Sequence, residues 1–387
     1  MANLGRGALR RMTARDPDEP NRAGSSLELF FDLVFVVAVS FSSSQLHHME
    51  SAGNLGGGVL NYLMVFFSIW WAWMNFTWFA TSFDTDDWLY RVTTLVQMAG
   101  VLVLAAGVDS AMERQDFGLV TIGYVIMRLA MVAQWIRAAC SEPELRSTAL
   151  RYAGAIAVVQ TGWLVLLALP DTARFIGFFI LVAAEISVPV FAEKHKTTPW
   201  HPAHIAERYS AFTIILLGES VLASANAVVG AFSAGHHVPD LVLISAAGLV
   251  IAAGIWWVYF AREQHHHFTS LRTSVTFGYF HYFIFAAVGA FSVGVGVAID
   301  EISGETTLGS FEVSALLSIP LALYLLGVWW LLLRTLLSGA ANGLWLAGVA
   351  VVLCGLFFPA PASVLVAAAG MVLCVVSTEL HGRGTRV

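Results

Sequence analysis

Windows of about 20 predominantly apolar residues recur twelve times along these 387 residues, and no other feature restricts the fold so tightly. Each window is long enough to cross roughly 30 Å of hydrocarbon as a helix rising 1.5 Å per residue. They fall near 27–46, 59–81, 89–111, 118–139, 149–169, 173–193, 203–231, 240–261, 274–299, 313–336, 340–358 and 362–381. Lipid offers a backbone amide no partner, so continuous apolar segments of this length have to satisfy their own hydrogen bonds as helices. Composition agrees: 58% of residues are hydrophobic and 12% charged, with a mean hydropathy of +0.73, whereas soluble domains carry about 25% charged residues. The reading is an all-α membrane protein of about twelve transmembrane helices, with the lipid bilayer as its main partner.

The basic residues are sorted by connector. With the N-terminus inside, sixteen Lys and Arg fall on inner loops and ends, five of them at Arg6, Arg10, Arg11, Arg15 and Arg22; only Arg114 and Arg174 fall outside. That bias predicts cytoplasmic termini and a cell inner (plasma) membrane location. Residues 1–26 lack the apolar core of a secretory signal and read as a flexible cytoplasmic tail that meets anionic headgroups. The net charge of -6 includes no basic patch for nucleic acid. Cys140, Cys354 and Cys374 have no metal-ligand spacing and imply no disulfide framework.

Landmarks repeat. Leu27 to Ser43 can be laid over Ala206 to Leu222 with Glu28 on Glu207, and each stretch is followed by a tryptophan-paired helix, SIWWAW at 68–73 and GIWWVY at 254–259. Then come LVQMAG at 95–100 and YFHYFIFAAVG at 279–289, setting Gln97 beside His281. The order predicts two parallel six-helix repeats, 27–193 and 203–382, joined by a cytoplasmic linker at 194–202 and closed by a short tail at 383–387.

Ionisable residues inside the windows are the candidate site, because a charge facing lipid costs several kcal/mol and has to find a protein partner or a wet cavity. Glu28 and Asp32 are one helical turn apart and share a face. They suit a proton or cation site, or else one caps the helix start after Ser25 and Ser26 while the other pairs with an arginine of the bundle. Arg128 and Glu185 lie deep in the fourth and sixth windows, and Glu219, Glu185 and Asp32 are the available partners for Arg128. The seventh window carries His204, Glu207, Arg208 and Glu219, with Arg208 and Glu219 about 20° apart around the axis. Gly218, Ala223, Ser224 and Ala225 predict close helix approach or flexing there.

His201, His204 and Glu207 share a helical face poorly, so no metal is expected. His47 with His48, His236 with His237, and His265 to His267 read as solvated loop residues. His281 lies inside a helix, where one partner satisfies it or a proton passes through it. Trp70, Trp71, Trp256 and Trp257, with Gln97 and Gly218, are candidates to line a pocket, the tryptophans otherwise serving as packing.

ELFFDLVFVVAVS at 28–40, WHPAHIAERYSAFTIILLGESVLA at 200–223 and LVQMAGVLVLAAG at 95–107 resemble the low temperature requirement A (LtrA) family of bacterial membrane proteins. The resemblance implies a polytopic membrane protein and supplies motif members, Glu28, Phe31, Asp32, His204, Glu207, Arg208, Gly218 and Glu219, but no catalytic set. Leu29 stands opposite Arg208, so the two repeats differ in chemistry.

The expected activity is secondary transport of a small solute, coupled to protons through Glu219 or Asp32, with Arg128 or Arg208 as counter-charge. A passive ion channel and an envelope-stress scaffold are the alternatives. No G-x-S-x-G, H-E-x-x-H or P-loop is present and no cofactor is implied, so an enzyme is not expected. Homo-oligomer formation stays open.

Overall fold

The computed structural model describes residues 9–19, 22–234, 238–262 and 270–382. His236, His237, His265 to His267 and the arginines at 6, 383 and 386 therefore lie outside the described residues, as do the side chains of Ala223 and Ser224. In chain order the helices are α1 Ser26–Ser51, α2 Leu55–Phe83, α3 Trp88–Ala106, α4 Val108–Arg114, α5 Gly118–Ser141, α6 Arg146–Leu166, α7 Asp171–Ala192, α8 Pro202–Ala234, α9 Val238–Tyr259, α10 Leu271–Ser303, α11 Ser310–Val328, α12 Gly339–Cys354 and α13 Ala362–Gly382. The short α4 extends α3 past Gly107 into one span, Trp88–Arg114, so the described residues form twelve long rods and no strand.

Eleven of the rods are long and apolar enough to cross a membrane. The 33-residue α8 carries His204, Glu207, Arg208 and Glu219. This is a multi-pass helical membrane protein, and its helix order follows the twelve apolar windows.

The chain divides into two compact units: residues 1–38 with 65–209, and residues 39–64 with 210–387. In the first unit α3 and α5 touch through glycine. A Cβ on Gly123 would stand 2.6 Å from the Gly100 carbonyl, so only the missing side chain lets the two backbones meet. In the second unit α12 and α13 use the same device, where a Cβ on Gly370 would stand 2.6 Å from the Gly348 carbonyl. Both are close packings in which dispersion replaces the hydrophobic drive that lipid cannot supply.

The arginine-rich N-terminal segment differs from the free tail its composition implies. In the first unit Met12 is fully buried, the Arg22 guanidinium donates to the carbonyls of Thr81 (2.7 Å) and Ala80 (2.8 Å), and the Arg15 N–H donates to Ser82. These are last-turn carbonyls of α2, where intrahelical partners run out; Ala80 also accepts from the Asp84 N–H at 3.1 Å. A cation there also complements the negative end of the helix dipole, which is why this segment is pinned.

Candidate functional site

Among the described residues, two buried polar hubs lie in the first unit and a polar cavity lies in the second. The first hub starts as a helix cap. The Ser25 N–H donates to Glu28 Oε2 at 2.7 Å and the Glu28 N–H donates to Ser25 Oγ at 3.3 Å, a reciprocal capping box that fixes where α1 begins. One turn on, Asp32 is fully buried and accepts from Trp73 Nε1 at 2.7 Å. Arg208 on α8, also fully buried, forks onto Asp32 through Nε (3.2 Å) and Nη2, and sets Nη1 2.9 Å from Glu28 Oε1. His204, one turn before it, places Nε2 3.2 Å from the same Glu28 oxygen.

Two carboxylates thus face one guanidinium and one imidazole, so the hub reaches charge balance when it holds one further proton. Arg22, Asp84 and Tyr90 lie within electrostatic range of it. Glu207, on the same turn as His204, is exposed and accepts from the Gly24 N–H at 3.3 Å. His201 uses both ring nitrogens on backbone: Nδ1 accepts from the His204 N–H, which leaves Nε2 to donate to the Glu19 carbonyl.

Glu185 is the second hub. It accepts from Arg128 Nη2 (2.9 Å), Trp71 Nε1 (2.9 Å), Gln160 Nε2 (2.7 Å) and Trp163 Nε1 (3.3 Å), which tie α5, α2 and α6 to α7. Of the three partners open to Arg128, the structure selects Glu185. Trp71 thereby has a specific task that its place in the sequence did not reveal, and Trp70 is buried beside it. Gln97 is buried in α3.

Outside the spans, charge decides the ionisation of the connecting segments of this unit. Burial lifts the Asp84 carboxyl to about 6, helped by the Glu28 charge and opposed by Arg22 and Arg15. Burial alone would lift Asp87 as well, but the Arg137 guanidinium and the N–H groups of Arg10 and Tyr90 hold it below the usual carboxylate range.

In the second unit, a cavity of about 300 Å³ is lined by Ser40, Ser43, Ser44 and His47 of α1, Glu219, Leu222 and Asn226 of α8, and Ser292, Val293 and Gly296 of α10. Glu219 is part-exposed there, not sealed in an ion pair core. His47 is not a loop residue: α1 runs on to Ser51, which keeps His47 helical and sets its Nε2 2.9 Å from Asp300 Oδ2. Asp300 also accepts from the Ser51 hydroxyl at 2.6 Å.

His281 donates through Nδ1 to the Phe277 carbonyl (2.7 Å), leaving Nε2 to accept from the Tyr259 hydroxyl (2.9 Å), so both ring nitrogens are engaged. Trp256 and Trp257 stand 48% and 44% exposed and do not line this cavity, their indoles facing outward. Gly218 marks no close approach, since a Cβ there would meet nothing within 4 Å. Sequence reasoning placed Ser43 on the face of Glu28 and Asp32 but missed Ser40, Ser44 and the role of His47; their spacing over 40–47, about two to four turns beyond Asp32, was the signal.

The family model for bacterial low temperature requirement A protein (LtrA) matches residues 23–378. The chain is also similar to "Uncharacterized protein RA0937" of Rhizobium meliloti (strain 1021), 25% identical over 246 residues, which covers 61% of this chain and 58% of that relative. No solved structure matches. The matched span takes in both hubs and every cavity-lining residue, and on that match the chain belongs to the bacterial low temperature requirement A (LtrA) family.

Proposed function

We propose that the chain is a proton-coupled secondary transporter of a small polar solute, and that the cavity of the second unit is its binding site. The cavity carries the reading: a carboxylate, an imidazole, a carboxamide and four serine hydroxyls line about 300 Å³ within a bundle of apolar helices. Polar groups are costly at such depth and persist where they meet a ligand or water. Glu219 is assigned the proton, because it is the carboxylate of α8 that lines the cavity. Asp32 and Arg208 are assigned the lock that holds α1 to α8.

The inner-membrane location, cytoplasmic termini and two parallel repeats belong to the same proposal. Loop arginines, the alignment of Glu28 with Glu207 and the paired tryptophans support them. The test is proton flux into pyranine-loaded proteoliposomes challenged with a panel of small amines and polyols. Wild type acidifies with the matching solute and Glu219→Gln does not; equal flux from both removes Glu219 from the mechanism.

A further inference from the structure

A groove of about 450 Å³ lies in the first unit, away from both hubs, where the N-terminal segment crosses the first turns of α3 and the last turns of α5. Its apolar floor includes Leu89, Ala133 and Ile136, and its polar edge carries Arg10, Arg11 and Arg137. We propose that this groove binds an anionic phospholipid, its headgroup phosphate against the arginines and its acyl chains along α3 and α5.

Charge comes first. Arg137 is neutralised by Asp87, and Arg91 by Asp86 at 2.8 Å. Arg10 and Arg11 are exposed, and Arg11 gives one N–H to the Ser141 carbonyl at 3.2 Å. Glu142, which accepts from the Ala14 N–H, is the remaining carboxylate at this edge. One positive charge is left over, which suits a monoanionic headgroup. Guanidinium forks match the geometry of a phosphate diester.

Position commits the occupant to a lipid and not a free anion. The groove sits at the ends of two membrane-crossing helices, beside Trp88, which is 49% exposed at the start of α3, as tryptophans at a bilayer interface are. Away from the groove both helices present bare apolar side chains, Val92, Leu95 and Val96 on α3 and Leu129 on α5, each more than two-fifths exposed. A small anion would leave that wall and the apolar floor unused, whereas acyl chains cover both.

The experiment is native mass spectrometry of the delipidated, detergent-purified full chain titrated with phosphatidylglycerol, phosphatidylcholine or inorganic phosphate. Wild type binds phosphatidylglycerol about thirtyfold more tightly than phosphatidylcholine, the effect expected of two arginines near a headgroup. The preference disappears in Arg10→Gln/Arg11→Gln and persists in Arg114→Gln, an exposed arginine elsewhere. Ala133→Trp, which fills the groove and keeps both arginines, removes it too and guards against a loosened N-terminal segment in the double variant. Equal retention of the two lipids, a preference that survives both groove variants, or displacement of phosphatidylglycerol by millimolar phosphate overturns the assignment.

Discussion

Arg208 holds both oxygens of Asp32 within the buried core of the first unit, with Nε 3.2 Å from Oδ2 and Nη2 on Oδ1. The pair joins α8 to α1 across 176 residues of chain. Removing Arg208 strands the Asp32 carboxylate where water does not reach, which costs about 3–5 kcal/mol. Arg208→Met is therefore expected to lower the melting temperature in detergent sharply, whereas Arg208→Met combined with Asp32→Leu recovers most of the loss, Glu28 keeping His204 and the Ser25 N–H. Melting curves of the three proteins check this, and a mild Arg208→Met would remove the lock.

Glu185 makes the same argument for α7. This helix is the least buried of the membrane spans, and Glu185 is one of its few buried side chains. Glu185→Leu removes the acceptor shared by Arg128, Gln160 and two indole N–H groups, so α7 should detach before the rest of the unit unfolds. Hydrogen exchange over 171–192 is expected to rise selectively, and an unchanged exchange pattern would contradict the assignment.

How much of this was legible in the sequence follows from what each residue type reports. Uninterrupted apolar windows set the helix order, because chain length and hydrocarbon thickness alone decide it. Ser25 and Ser26 with an acidic residue after them marked the start of α1, since a cap is local, and the structure assigns that role to Glu28. Partners across the fold were not legible. Glu185, Glu219 and Asp32 were equal candidates for Arg128, and only packing separates them. His47 looked like a loop residue because polar neighbours, His48 and Glu50, ended the apolar window one turn before the helix ends. Gly218 looked like a contact point because glycine spacing does not say which helix lies opposite.

Asp84 provides a test in pH. Its folded pKa of about 6 exceeds the ordinary 3.8, so the proton favours the fold. The contribution is complete below about pH 4 and is lost as pH rises through about 6. Asp84→Asn removes the penalty, on the order of 3 kcal/mol, at neutral pH. The variant is expected to melt above wild type at pH 7.5 and level with it at pH 4; parallel curves at both values would contradict the burial of a charged Asp84.

Ser44 separates the cavity from the folding of the protein. It is exposed on α1 and lines the cavity without a structural bond to lose. Ser44→Trp fills the space, and is expected to abolish solute-evoked proton flux while leaving the melting temperature within about 2 °C of wild type. Flux at the wild-type rate would place the solute elsewhere.

The most direct measurement is accumulation of the matching solute in proteoliposomes under an imposed pH step. With the outside made acidic, wild-type protein is expected to raise the internal solute above the external concentration, and a protonophore to collapse that excess. Simple equilibration to the external level, indifferent to the pH step and to the protonophore, would contradict proton coupling and leave a passive pathway in its place.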